Sequence, residues 1–408
     1  MVTSAANAHR RATWLTCAAL LALAGCHTRG TPVTFAPGGT VLPVTPRTAT
    51  EPDVSAVSTA SASPLTRPGE YRRLTADDCR RLAVANAPFA DDLDRHSDNE
   101  SPAHARLNKK AACFAATSRM VRGHAADELR NRAAGEALEE FYKLAEAEGQ
   151  FDLLAAADAE LRTQLEAALQ AQRAGLTDRA DIPAIRRRRL DIEAQQAKLE
   201  AGIGALNASL RARLGLDAAD PLPLWPTDPL KVRSDDIDAA QAVATGLHYR
   251  PDLNVLRVLA DGSAGELTNA VLTGLNPLLA SLKSDNPLAI LFAPLTKEPQ
   301  RQQAAANARA VATLAARERQ AEAEIRAAAV TLRGHRAAVA ARAMDVRQVE
   351  ARIAELRKRE AAGVNVTADL VTAKLDLLKA KGDLLTSVIE WHVTEVKLRQ
   401  AMGLLVRE

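Results

Sequence analysis

The sequence predicts an all-α fold of two tandem, long antiparallel helical hairpins, and three observations predict it. The 408 residues are 47% apolar but only 3% aromatic. The apolar share is built largely on alanine, the best helix former and a small side chain, which suits thin, closely packed rods better than thick sandwiches or doubly wound sheets. The chain also repeats itself at an offset of about 188 residues. Arg173-Ala174-Gly175 falls on Ala361-Ala362-Gly363, and the alignment runs without a gap to Gly215-Leu216 on Gly403-Leu404. Finally, each copy centres on a glycine turn flanked by long stretches of helical period.

In chain order, residues 1–25 read as a signal peptide. His9, Arg10 and Arg11 form a basic start, Ala12 to Ala24 an apolar stretch, and Leu23-Ala24-Gly25-Cys26 follows. That tetrad resembles a bacterial lipobox, which implies cleavage before Cys26 and acylation of its thiol and new amino terminus. The competing reading is an ordinary secretory signal. Residues 26–70 are rich in Thr, Pro, Ser, Ala and Gly with few apolar anchors, and are expected to form a disordered tether. The first repeat spans 71–216. Thr75 with Asp78 makes a capping-box-like start for a short helix to about Ala87, with Pro88 at its end. A long helix from about Ala125 to Ala174 leads to Gly175, and a return helix runs from about Asp181 to Leu214. Residues 217–232 form a linker whose Pro221, Pro223, Pro226 and Pro229 forbid a helix. The second repeat, 233–408, has its long helix from about Arg301 to Ala362 and its return from about Thr367 to Leu404. Rods of some 50 to 90 Å, at about 1.5 Å per residue, must bury a face by pairing side by side.

The residues themselves suggest no catalysis. None of the eight histidines forms a His-x-x-x-His or Glu-x-x-His pair, and there is no Cys-x-x-Cys, nucleophile elbow or phosphate loop, so neither a metal nor another cofactor is expected. A lone His335 or His392 reads as structural. The net charge of +3 is a mixed surface with no nucleic-acid footprint, and Arg186 to Arg189 reads as a solvated helix face. Cys79 and Cys113 remain in the mature chain, either as a disulfide between helices or as two free buried thiols. Asp178, Asp181 and Asp369 flank the turns. They read either as helix caps or as acidic groups that attract cations and gate a tip.

Taken together these features resemble the TolC-type outer-membrane efflux family over about residues 70 to 408. Arg250-Pro251-Asp252-Leu253 is similar to the family's Arg-Pro-Asp-Leu at the start of its second repeat, and Ala293-Pro294-Leu295 to a point where a strand re-enters the helices. Gly175-Leu176-Thr177-Asp178 and Gly363-Val364-Asn365 resemble its hairpin tips. The resemblance implies a passive conduit in the outer membrane. It implies a homotrimer, lipid-anchored at the periplasmic face, whose tips dock a periplasmic adaptor serving an inner-membrane pump. The family inserts membrane strands at positions corresponding to about 89–125 and 260–295. Here the first window lacks strand alternation and the second is cut by Pro277, Pro287 and Pro294. The barrel is therefore expected to be reduced or absent, and a structural, barrel-less envelope lipoprotein is the alternative function.

Overall fold

A computed structural model describes residues 44–46, 70–98, 109–174, 181–234, 236–261 and 299–407. All of them belong to one compact unit, Thr40–Glu408. The signal peptide, Cys26, most of the tether, the first tip (Gly175 to Asp178) and residues 99–108 and 262–295 of the two strand windows lie outside the described residues.

Four rods dominate. Helix α3 (Lys109–Arg173) and α4 (Ile182–Leu214) form the first hairpin, α7 (Pro299–Ala361) and α8 (Thr367–Ala401) the second. Helix α8 packs on both α7 and α3, so the hairpins are joined through the pair α3–α8. Along α4 the residues facing α3 recur at heptad spacing, among them Ile185, Ile192, Leu199, Ile203 and Leu210, which keeps one stripe against one neighbour. Buried alanines such as Ala134, Ala137, Ala321, Ala343 and Ala373 line the seams. The close approach they allow is extended by Gly149, where an added Cβ would stand 2.5 Å from Leu385 of α8.

Two pairs of short helices cross the rods at matching places in the repeat. Helix α1 (Ala76–Ala85) starts at Thr75, whose hydroxyl accepts from the Asp78 amide at 3.0 Å, and α2 (Ala90–Asp98) follows. Helix α5 (Ala239–Tyr249) and α6 (Pro251–Ala260) are their counterparts. The internal repeat reaches the backbone. Gly215 ends α4 at φ 63° and Gly403 follows α8 at φ 72°, and in both cases the next amide reaches back to an arginine carbonyl at 3.0 Å, Leu216 to Arg211 and Leu404 to Arg399. Gly215 lies against Asn86 at the end of α1, and Gly403 against Arg250 and Pro251 at the end of α5.

The helical architecture carries one small sheet. Strand β2 (Glu70–Leu74) pairs antiparallel with β1 (Val44–Pro46) and parallel with β3 (Leu224–Pro226). Four residues of the expected tether, Val44 to Pro46 and Glu70, and three of the proline-rich linker are thus in strands. Proline bars a helix but not a strand with no further neighbour, and Leu224 and Trp225 bury their side chains there. The linker is held by Asn207, whose side-chain oxygen accepts from the Leu224 amide at 2.6 Å, and by Arg211, which donates to the carbonyls of Asp217 and Leu222. Cys79 is a free thiol, fully buried against α3 and α4, where burial pushes its pKa up; the side chain of Cys113 is outside the described ones. Among the described residues no helix is long and apolar enough to cross a membrane.

Candidate functional site

The described tip joins α7 to α8. Gly363 adopts φ 84°, a left-handed conformation that glycine takes without a Cβ penalty, and an added Cβ would meet nothing within 4 Å. The amides of Gly363 and Val364 reach back to Glu360 at 2.9 Å and Arg359 at 3.0 Å. Val364 then points outward, 52% exposed, while Val366 turns in among Ile353, Leu356 and Ala373. The result is a short loop pinned from beneath, with bare backbone at Gly363 and an apolar side chain at its end. The last turn of α7 carries exposed Lys358, Arg359 and Glu360, and Arg359 faces Glu355 at 3.6 Å, so this tip is of mixed charge.

The two aspartates differ. Asp181 caps α4, accepting from the Ala184 amide at 3.0 Å. Asp369 does not cap α8. That helix begins after Val366 without a side-chain cap, and Asp369 sits exposed in its first turn, where it complements the helix dipole. The start of α8 is set by Asn365 instead, whose side-chain oxygen faces the Thr367 amide at 3.4 Å.

Arg250, Pro251 and Asp252 occupy the elbow between α5 and α6. Arg250 both ends α5 and precedes α6, and Pro251 takes the first helical position, where a missing amide hydrogen costs nothing. The Arg250 guanidinium donates twice to Asp252, at 3.0 and 2.9 Å, and once each to Glu324 of α7 at 2.8 Å and the Ala401 carbonyl of α8 at 3.2 Å. Arg317 of α7 donates to Asp252 at 2.8 Å and to Glu324 at 3.0 Å. Burial pushes the Asp252 carboxyl up, but the two guanidiniums outweigh it and hold it below the usual range. Nearby Glu128 of α3 is raised by its burial and by the Asp252 charge, against the pull of Arg132. This network ties the elbow to α7 and α8, and its central pair, Arg250 with Asp252, is buried, so it positions the fold.

Sequence reasoning missed one feature. Arg189 is not part of a solvated run: it turns into the α3–α4 seam and meets Asp158 at 2.8 Å, while Arg186 to Arg188 stay exposed. Its place in the heptad stripe with Ile185 and Ile192 was the available signal. His392 is buried, stacked on Tyr142 at 4.7 Å, and neither ring nitrogen has a hydrogen-bond partner. His335 stands 3.4 Å from Glu390. Among the described residues no group of acids, histidines or cysteines is placed to hold a metal.

No family model and no curated protein matches the sequence. Solved structures do match in shape. The outer-membrane protein VceC of Vibrio cholerae is 18% identical with a TM-score of 0.54, over 72% of this chain and 75% of that one. The MtrE outer-membrane channel of Neisseria gonorrhoeae is 13% identical with a TM-score of 0.58, over 80% and 88%. CusC, described for its transmembrane channel formation, is 12% identical with a TM-score of 0.58, over 85% and 97%. The chain therefore has the long-hairpin fold of outer-membrane channels of known structure, as the TolC-type resemblance implied.

Proposed function

We propose that the protein is a TolC-type outer-membrane component of a tripartite efflux or secretion system. In this reading it is a non-catalytic conduit, anchored through lipid on Cys26, whose tips at Gly175–Asp178 and Gly363–Asn365 dock a periplasmic adaptor serving an inner-membrane pump. The observation that carries this reading is the shape match to outer-membrane channels over most of both chains, despite low identity. The pinned tip with bare backbone at Gly363 and exposed Val364 suits a partner's side chains.

Self-assembly has support of its own. Each outer rod, α4 and α7, has only one long neighbour among the four. Each presents an uncharged, exposed stripe at heptad spacing on its far side. On α4 it runs through Leu190, Ala194, Ala197, Ala201, Gly204 and Ala208; on α7 through Ala327, Val330, Gly334, Ala337, Ala341 and Met344. Two different free edges that pair between copies make a head-to-tail contact, which closes into a ring such as the expected homotrimer. The test is a deletion strain. Export of dyes and toxic compounds is expected to fall, and a cysteine at Val364 is expected to cross-link to an adaptor. Unchanged export together with no cross-link would sink the proposal.

One observation favours the alternative, a barrel-less envelope lipoprotein. In the first strand window the described residues 90–98 and 109–125 are helical. The gap between these helices, residues 99–108, is about the length of one spanning strand of 9–11 residues, not of a pair. Conductance in a planar bilayer separates the two readings, since a barrel-less protein leaves the bilayer silent.

A further inference from the structure

We propose that the groove between the two hairpins binds a single-chain amphiphile with an anionic head. Helices α4 and α8 both flank α3 and leave a cavity of about 510 Å³, within the span of roughly 300–1,000 Å³ typical of ligand sites. Its floor is Leu153, Leu154 and Ala157 of α3, and its walls add Leu199 of α4 with Leu375 and Leu378 of α8. Gly382 completes the α8 wall. A Cβ there would touch only Leu153, at 3.7 Å, so the groove runs past bare backbone. From Leu375 to Thr386 the α8 wall rises roughly 16 Å at 1.5 Å per residue, the reach of an extended chain of about a dozen carbons.

The polar groups sit at the margin, and most are already engaged. The Gln150 amide donates to Glu146 and Thr386, and the Thr386 hydroxyl donates to Glu146 at 2.8 Å. Asp383 faces Arg342 at 3.7 Å, and Asp376, one turn before Lys379, faces Arg352 at 3.6 Å. Two cations are left over. Among the described residues neither Lys198, from the α4 wall, nor Lys379, from the α8 wall, has a carboxylate within ion-pair distance. An apolar slot flanked by one uncompensated ammonium from each side selects a tail with a carboxylate or phosphate head, because burying the tail supplies affinity and the two charges supply the choice of head.

Calorimetry on the purified mature chain, with ligands kept below micelle formation, tests this. Dodecanoate and dodecyl phosphate are expected to bind one per chain, inorganic phosphate not to bind, and the stronger of the two amphiphiles identifies the head group. Lys198→Ala with Lys379→Ala, both exposed and outside every seam, is expected to weaken both anions about tenfold and dodecanol less than twofold. Gly382→Leu is expected to abolish binding of all three at unchanged helix content. Absence of binding by both anions, or equal losses for dodecanol and the bound anion in the double variant, overturns the proposal. A photo-cross-linker at Leu378 that labels a protein in intact cells, rather than a lipid-extractable product, assigns the groove to a partner helix and overturns it as well.

Discussion

Asp252 holds two buried guanidiniums, so its removal leaves both to the single, more exposed carboxylate of Glu324. Asp252→Ala is expected to cost about 3–5 kcal/mol, read as a lower midpoint in urea denaturation, whereas the exposed Asp369→Ala is expected to change stability by less than about 0.5 kcal/mol. His392 gives the protein an acid sensitivity that owes nothing to carboxylates. Burial, with a smaller push from Arg233, lowers its pKa from 6.5 to about 4, and the nearest carboxylate, on Glu395, stands off at 3.8 Å. Between these values the unfolded chain takes up a proton that the folded chain refuses, so stability falls as pH drops from 6.5 towards 4, by up to about 3 kcal/mol. His392→Phe, which keeps a ring against Tyr142, is expected to flatten that part of the stability–pH curve; an unchanged slope would assign it to other groups. The residue-level chemistry was only partly legible. The Thr75 and Asp181 caps follow from local spacing, but the partners of Arg250 on the rods, Glu324 and Ala401, lie 74 and 151 positions away, and no local pattern announces them.

At the level of elements, the hairpins were readable because their signals are periodic and doubled. The return helix α4 was expected from Asp181 to Leu214 and spans Ile182–Leu214, and α8 starts at Thr367 as expected. Helix α3 begins about sixteen residues earlier than expected, at Lys109, because nothing between His104 and Ala125 breaks a helix and the strand window suggested otherwise. The sheet was not legible, since strands of three to five residues leave too little period to detect and their pairing joins segments far apart in sequence. The glycine turns allow an element-scale test. Gly363→Ala meets open space and is expected to cost only the left-handed penalty, about 1–2 kcal/mol. Gly403→Ala carries the same penalty and also places a Cβ 2.9 Å from the Arg250 backbone, so about 2–4 kcal/mol is expected. Thermal unfolding of the two variants side by side should preserve that order.

For the whole molecule, the two free edges predict assembly through uncharged stripes. Ala201→Glu on α4 or Met344→Glu on α7 is expected to abolish self-association by light scattering without changing the helical content of the single chain, since both side chains are exposed there. If both variants assemble as the unaltered protein does, the edges are not the contact. The helical architecture and its duplication could be foreseen from composition, offset and turns, and the likeness to channels was implied by the family resemblance; the groove between the hairpins could not be foreseen, because it arises from three rods whose spacing no one segment encodes.

The small sheet has a bearing on the order in which the chain matures. Strand β2 receives β3 from about 150 positions downstream, in register Arg72 to Leu224, and that pairing is out of reach until α3 and α4 have been made and folded back on each other. Once Thr227 has closed onto the Leu74 carbonyl at 3.0 Å, the first half is clasped before the second repeat is complete. The second half has no strand of its own among the described residues. It is fastened at its far end, where the Asn131 amide of α3 donates to the Gln400 carbonyl at 2.9 Å. A chain that becomes available from its amino terminus can thus complete one rod pair as a template and lay the other against it, so the slow, long-range closure occurs once, early, and ahead of the stretch most exposed to misassembly.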